Sequence, residues 1–218
     1  MLSNDKIQAN KARFISLLRQ IKRPDCLIDE LVTKLERSDF FTAPASTQYH
    51  CSYEGGLCEH SLNVYDELKK LVEIEYPKHI SDENGAVKEI DHYVCPISDD
   101  SIIITALLHD LSKMNFYETS TRNVKDEKGN WVQVPFIKVK EAKDRFLYST
   151  HGANSEYMVA RFIPLSLEES VAIINHMGGM DSGAVSFEGG LSQIYNKYQL
   201  ALLLHCADML ATFHDEAT

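Results

Sequence analysis

The chain has 218 residues, of which 44% are hydrophobic and 25% charged, a composition typical of one large globular domain or two small ones. Its formal net charge of -10 disfavours a large nucleic-acid interface, because an acidic surface repels phosphate backbones, but it leaves small phosphorylated substrates open. Five cysteines without a CxxC pair, and no apolar stretch long enough for a membrane span or signal core, predict a cytoplasmic protein without a membrane partner.

Two amphipathic helices are predicted at the N-terminus. Apolar residues recur at helical spacing over residues 7–21 and 27–35, on either side of Pro24. We interpret residues 1–44 as helices that pack on a core domain formed by residues 45–218.

The core domain is predicted to begin with a loop and a helix. Pro44 and the glycines before residue 57 disfavour helix. An apolar stripe over residues 57–71, which includes His60, then predicts a helix that Pro77 ends. Residues 78–99 are polar, and we expect them to be irregular.

A central helix is predicted over residues 101–113, "SIIITALLHDLSK", because this segment is apolar nearly all round. It contains His109 and Asp110, and Lys113 lies on the same side one turn along. A buried carboxylate costs on the order of several kcal/mol unless it is paired or holds a metal. We therefore expect Asp110 to meet partners from elsewhere in the chain.

A β-hairpin is predicted at about residues 119–139. Residues with high β-propensity lie on both sides of "DEKGN", in which Gly129 and Asn130 can supply the turn. Pro135 lacks an N–H for the ladder and therefore indicates an edge strand. A lone hairpin is not stable by itself, so we interpret it as an insertion into the helical domain.

Helices are predicted to resume near Thr150, with His151 at the start of an apolar stripe. Ser166 and Glu169 form a capping box ahead of the next helix, which is predicted to end near His176. After a loop at "GAVSFEGG", the last helix is predicted within "YQLALLLHCADMLATF".

This last helix contains His205 and Asp208 in an apolar context. No basic residue except Lys197 lies near Asp208 in the sequence, so Asp208 and Asp110 are expected to share a cation. The predicted fold class is all-α, a helical bundle with a small β-hairpin.

Imidazole nitrogens and carboxylate oxygens together bind first-row metals, so these residue types indicate one or two divalent ions of Mn, Fe, Co, Ni or Zn. A lysine beside such a site, here Lys113, is a natural phosphate contact. Cys51 and Cys58 fit no standard zinc-finger spacing.

The order of these residues resembles the H…HD…D signature of the HD-domain metal-dependent phosphohydrolases. The blocks "GGLCEHSLNVY" and "LLHDLSK" resemble the corresponding blocks of that superfamily. "HGANSEYMVARFIPLS", "INHMGG" and "LLLHCADMLAT" are similar to a bacterial and phage subgroup, and "GGLCEHS" is more distantly similar to HD-type 3′–5′ exoribonucleases. The resemblance covers roughly residues 45–213 and implies an HD-domain helical bundle.

The resemblance also implies a ligand set. A first metal would be held by His60, His109, Asp110 and Asp208. His151 and His176 match the additional histidines of members that bind a second ion, and Asp110 would bridge the two ions.

We expect metal-activated water to cleave a phosphoester of a nucleotide or similar small phosphorylated substrate. Asp110 and Lys113 are the predicted catalytic residues: Asp110 orients or deprotonates the water, and Lys113 contacts the phosphate. His50 and Arg122 are further candidates for substrate contact, and His205 is a supporting partner or an alternative ligand.

Two alternatives remain open. One is a 3′–5′ exonuclease on single-stranded nucleic acid, which would use the basic and partly aromatic hairpin. The other is a non-catalytic module that binds a nucleotide. The absence of a "GYP" motif disfavours the cyclic-di-GMP subgroup.

Overall fold

The computed structural model describes residues 2–77, 79–81, 87–89, 95–180 and 190–216. Within these ranges the protein is mainly helical. Its α-helices are α1 (Asn4–Leu18), α2 (Ile28–Glu36), α3 (Gly56–Glu75), α4 (Asp99–Leu108), α5 (His151–Ala160), α6 (Leu167–Asn175), α7 (Gly190–Lys197) and α8 (Gln199–Leu210). Its strands are β1 (His79–Ser81), β2 (Val87–Glu89), β3 (Tyr117–Lys125) and β4 (Trp131–Val139). None of the described helices is both long and apolar enough to cross a membrane.

Two apolar clusters form the core. In the first, Phe14 and Phe40 from the N-terminal segment are fully buried against residues of α3 and α4, such as Leu57 and Ile104. In the second, apolar side chains of α3, α4, α6 and α8 pack together. The N-terminal helices therefore share a core with the helices that carry the predicted site residues.

Serine caps fix where two of these helices begin. The Ser98 hydroxyl accepts a hydrogen bond from the Ser101 amide at the start of α4. The predicted capping box at α6 is confirmed, because Ser166 and Glu169 each bond to the other's backbone amide. Glu169 also receives two hydrogen bonds from Arg23, which ties the segment between α1 and α2 to the start of α6.

The prediction of a continuous helix over residues 101–113 is wrong for the residues after Leu108. The α-helix ends at Leu108, and residues 111–113 form a separate 3-10 turn. The His109 ring bonds to the carbonyl oxygen of Ala106, which a continuing α-helix would give to the amide of Asp110. The break falls on the His-Asp pair itself, and Lys113 follows in the 3-10 turn.

The predicted hairpin is confirmed. β3 and β4 pair antiparallel with Thr121 opposite Pro135, and Gly129 has a φ of 82° in the turn between them. Residues 78–99 are not wholly irregular, because β1 and β2 form a second small antiparallel sheet. Three residues per strand are too few for an alternating pattern to be recognised in the sequence.

The predicted loop at residues 183–190 lies outside the described residues, except for Gly190, at which α7 begins. This short helix was not predicted. It leads into α8, which then continues as a π-helical turn over Ala211–Asp215.

Candidate metal centre

Six predicted ligands come together in the interior. Each comes from the end or the inner face of a different part of the bundle: His60 from α3, His109 and Asp110 from the end of α4, His151 from the start of α5, His176 from the end of α6, and Asp208 from α8. His60 Nε2 lies 3.2 Å from Asp208 Oδ1 and 3.3 Å from His109 Nε2. All except His151 are almost completely buried.

Asp110 lies at the middle of this cluster. Its Oδ1 contacts the Nε2 atom of His151 and lies 3.5 Å from that of His176. Its Oδ2 faces Lys113, His109 and His60, at 2.6, 3.5 and 3.7 Å. The two oxygens of one carboxylate therefore face two different sets of histidines, which is the arrangement that a carboxylate shared by two ions requires.

The backbone fixes the tautomers of two of these histidines. His109 Nδ1 donates to the carbonyl oxygen of Ala106 at 2.8 Å, and His176 Nδ1 donates to that of Ile173 at 2.7 Å. Because a carbonyl oxygen only accepts, Nδ1 carries the hydrogen and a neutral ring presents a lone pair at Nε2. Histidines that bind metals in proteins have this same arrangement.

A bound cation would satisfy the side chains of this cluster better than they satisfy one another. His176 Nε2 is buried and makes no hydrogen bond of good geometry, although Asp110 Oδ1 lies 3.5 Å away. Burial lowers the pKa of His176, but the nearby Asp110 carboxylate outweighs this and raises it, so the position favours a positive charge. The Nε2 atoms of His60, His109 and His176 point toward the same carboxylates. Within the described ranges, two sets of buried atoms are close enough to hold an ion: His60 with His109 and Asp208, and His109 with Asp110 and His176.

The pKa values of two histidines in the cluster are shifted in opposite directions. Burial lowers the pKa of His109 to about 3, so this ring stays neutral. Burial also disfavours a charged His60, but hydrogen bonds to Asp208 and Glu216 outweigh it and raise the pKa to about 10. The proton that His60 binds occupies the lone pair that a metal would use, so a metal that binds there would release a proton.

Asp110 and Lys113 form a buried ion pair beside the histidines. Burial raises the pKa of Asp110, but the charge of Lys113 and the neighbouring histidines hold it well below its usual range. Burial likewise lowers the pKa of Lys113, and the Asp110 charge more than compensates, so the pKa is raised. Both groups are therefore charged at neutral pH.

An open cavity of about 740 Å³ reaches the cluster, and Asp110, Lys113 and His50 line it. The His50 ring lies 4.8 Å from the ring of His60, centroid to centroid, and its Nε2 is buried without a hydrogen-bond partner. Burial lowers the pKa of His50 to about 4, so the ring is neutral. The structure thus places His50 beside the predicted ligands, facing the same cavity.

Glu216 is a member of the site that the sequence did not predict. Its Oε1 accepts hydrogen bonds from His60 Nδ1 at 3.0 Å and from Asn63 Nδ2 at 2.9 Å. The pKa of Glu216, which burial would raise, is lowered by the bond to His60. A third set of candidate ligand atoms is formed by His50, His60 and Glu216. Glu216 follows a polar run at the end of the last helix, where no local pattern marks it.

The structure does not bring every predicted residue to the cluster. Arg122 is exposed on the hairpin, where its guanidinium lies 5.4 Å from the centre of the Phe136 ring, and it is not among the described residues that line the cavity. His205 Nδ1 donates to the carbonyl oxygen of His176 at 2.6 Å, so it contacts the end of α6 and not the cluster itself. Cys51 and Cys58 belong to no candidate ligand set in the described part of the chain.

No protein-family model, curated protein or solved structure matches the chain. The resemblance to HD-domain enzymes therefore stays a prediction, carried by the motif order and by the geometry of the cluster.

Proposed function

We propose that the protein is a metal-dependent phosphohydrolase of the HD-domain kind, with an HD-type helical bundle as its fold. Its substrate would be a nucleotide or a similar small phosphorylated compound. The observation that carries this proposal is a cluster of four histidines and two aspartates, all buried except the partly exposed His151, at the end of a cavity that Lys113 also lines. A metal site made only for stability would need neither the cavity nor the lysine.

The ligands proposed for the metal centre are His60, His109, Asp110, His151, His176 and Asp208. A divalent ion bound there would supply Lewis-acid chemistry, lowering the pKa of water and offsetting negative charge on a phosphoryl group. The mixed nitrogen and oxygen donors indicate that the ion is a first-row metal, one of Mn, Fe, Co, Ni or Zn.

In the proposed reaction, the oxygen of a water molecule bonds to phosphorus, the ester P–O bond breaks, and the displaced oxygen leaves with a proton. Asp110 is ionised and can accept a hydrogen bond from that water. The Lys113 ammonium can contact a phosphoryl oxygen without binding the metal. A cavity of about 740 Å³ fits a substrate of nucleotide size, and His50 is the nearest candidate for contact with the rest of it.

All five cysteines have free thiols, which supports our proposal of a reducing, cytoplasmic compartment.

The test is a panel of nucleotides with Mn²⁺ added: mono-, di- and triphosphates, deoxy forms and cyclic forms, with the products separated by chromatography. We expect release of phosphate, pyrophosphate or a linearised nucleotide by the wild type. The Asp110→Asn variant should lose both metal binding and turnover, whereas Asp215→Asn, at a partly exposed carboxylate that pairs with the exposed His214, should keep both.

Metal-dependent turnover that survives in Asp110→Asn would contradict the assignment of Asp110. If the wild type bound nucleotides and metal but hydrolysed none of the panel, the non-catalytic module would replace the hydrolase as the better proposal.

A further inference from the structure

A second cavity, of about 720 Å³, lies between α2, α5 and the segment after β4. We call it the basic groove and define it by Lys34, Arg145, Phe146, Tyr157 and Arg161. It is separate from the cavity of the metal centre, although the two share a wall: Asp110 and Lys113 line one, and Leu111 and Met114 line the other.

Stacked aromatic rings lie at one side of the basic groove: Phe146 and Tyr157 line it, and Tyr148 continues the stack beside it. Tyr157 stacks with Phe146 at a centroid distance of 5.8 Å and with Tyr148 at 4.9 Å, and the ring planes differ by 16° and 28°. Tyr148 is 66% exposed, and Phe146 and Tyr157 are each more than one third exposed. Three nearly parallel aromatic rings at the surface offer flat faces to a ligand.

Positive charge lies beside these rings. In the described part of the chain Lys34, Arg145 and Arg161 form no ion pair with a carboxylate, and Asp144 is the acidic residue of the groove lining. The buried Nε of Arg145 also has no hydrogen-bond partner. Arg145 lies 4.8 Å from the centre of the Phe116 ring and Arg161 lies 5.9 Å from that of Tyr157. In a chain of net charge -10, these cations without a carboxylate partner form a local positive patch that can attract an anion.

We propose that the basic groove binds single-stranded nucleic acid, with bases stacked on the outer faces of the aromatic stack formed by Phe146, Tyr157 and Tyr148 and phosphates beside Arg145 and Arg161. Aromatic platforms next to cations are the means by which proteins bind single strands without reading their sequence. An acidic peptide would satisfy the cations but would leave the parallel ring faces unused. The binding does not depend on hydrolysis, so it goes beyond the function proposed above.

The groove is also near the metal centre. Tyr157 lies on α5, the helix that begins with His151, and their separation of six positions corresponds to a rise of about 9 Å. Tyr148 lies three residues before His151 in the chain. A strand in the groove would thus lie beside the metal centre, whereas the hairpin surface with Trp131 is a separate place.

The small number of cations sets the expected salt dependence. Each phosphate contact on a single strand contributes about -0.7 to the slope of log K against log salt, so three contacts give a slope of about -2. Binding should therefore be weak at physiological salt and clear at low salt.

The experiment is fluorescence anisotropy of labelled single-stranded RNA and DNA of about ten nucleotides, with a chelator present so that no strand is cut. We expect Tyr157→Ala to weaken binding about tenfold and Tyr157→Phe to restore it. Arg161→Ala should weaken binding and reduce the magnitude of the salt slope by about 0.7, and Arg161→Lys should restore the slope. Both side chains are on the surface, so the variants are expected to fold.

Control variants on the hairpin test whether the nucleic acid binds there and not in the basic groove. Trp131→Ala and Lys125→Ala remove an exposed aromatic ring and a cation from the hairpin, and both should bind as the wild type does. Strand binding is measured with the chelator present and hydrolysis in a separate assay with Mn²⁺, so that a failed hydrolase proposal and a failed groove proposal can be told apart.

Three results would overturn the proposal: no binding at low salt, binding that Tyr157→Ala and Arg161→Ala leave unchanged, or binding lost in the hairpin variants. An acidic peptide that displaces the labelled strand and binds more tightly would make the groove a protein-docking site instead.

Discussion

The carboxylate of Glu216 determines which nitrogen of His60 faces the metal centre. It accepts the Nδ1 hydrogen and thereby leaves Nε2 for Asp208 or for a metal. Partners of this kind orient a ligand ring and increase its basicity, and their loss typically weakens metal binding by a factor of about 10 to 100.

We therefore predict that Glu216→Ala weakens the binding of Mn²⁺ by about 10- to 100-fold, measured by isothermal titration calorimetry. The Mn²⁺ affinity of Glu216→Gln should lie between those of Glu216→Ala and the wild type, because the amide oxygen still accepts the Nδ1 hydrogen of His60 but carries no charge. Asp215→Asn removes the preceding carboxylate, which bonds to His214 and not to His60, and should leave affinity unchanged. Equal affinities in Glu216→Ala and the wild type would mean that packing alone orients His60.

At the scale of elements, the site depends on how closely α5 approaches the end of α6. Gly152 lies against the last turn of α6, where a Cβ atom would be 2.2 Å from the carbonyl oxygen of Ile174. His151 directly precedes Gly152, and His176 follows Ile174 by two residues, so the same close approach brings these two histidines to Asp110.

Gly152→Ala should destabilise the protein by about 1 to 3 kcal/mol, because the added methyl group forces α5 away from α6. Urea unfolding measures this, and metal titration should show weaker binding since His151 moves with α5. The control is Gly179→Ala, where a Cβ atom would have no neighbour within 4 Å. If the two variants unfolded at the same urea concentration, the contact between α5 and α6 would be less tight than described.

At the scale of the whole molecule, the pair of Arg23 and Glu169 joins the N-terminal segment to the core. Burial raises the pKa of Glu169, but the Arg23 guanidinium, the Ser166 amide and the Ser101 hydroxyl outweigh it, so the pKa is lower than the ordinary value of 4.5. A carboxyl with a lowered pKa in the folded state stabilises the protein above its unfolded pKa, and this stabilisation is lost as the pH falls through the folded value.

We predict that Glu169→Gln lowers the free energy of unfolding by about 3 kcal/mol at neutral pH, because it leaves Arg23 without its partner. The difference from the wild type should shrink as the pH falls below the ordinary carboxyl pKa, as followed by urea unfolding at several pH values. Glu36→Gln, which removes a more exposed pair with Lys11, should cost less than about 1 kcal/mol at any pH. A pH-independent difference for Glu169→Gln would indicate lost packing instead of lost charge.

Much of the fold and of the candidate site was predictable because short sequence patterns indicate it. Ser166 with Glu169 indicates a helix start, and Gly129 indicates a hairpin turn. Histidines and aspartates inside apolar stripes, such as His60 and Asp208, are visible because they interrupt a period that buried helices otherwise keep. The structure brings these interrupting residues together, as expected.

The remaining features depend on contacts between distant segments. Glu216 is 156 residues from His60 in the sequence, and nothing near it in the chain indicates a partner. The end of α4 was missed because Leu111 continues the helical spacing of Leu107 and Leu108, whereas the helix stops where the His109 side chain bonds to the carbonyl oxygen of Ala106. The basic groove combines three separate segments, each of which looks like ordinary solvent-exposed surface.

The positions of His109 and His176 have an electrostatic consequence. Each is the residue at which a helix ends, α4 for His109 and α6 for His176. The aligned peptide dipoles of a helix leave about half a negative charge at its C-terminus, so two helices direct negative potential at the cluster. The N-terminus of α5, at His151, contributes the opposite sign from one side only. Such a pocket attracts cations and repels a free phosphate, so under the proposed function the metal would bind before the substrate.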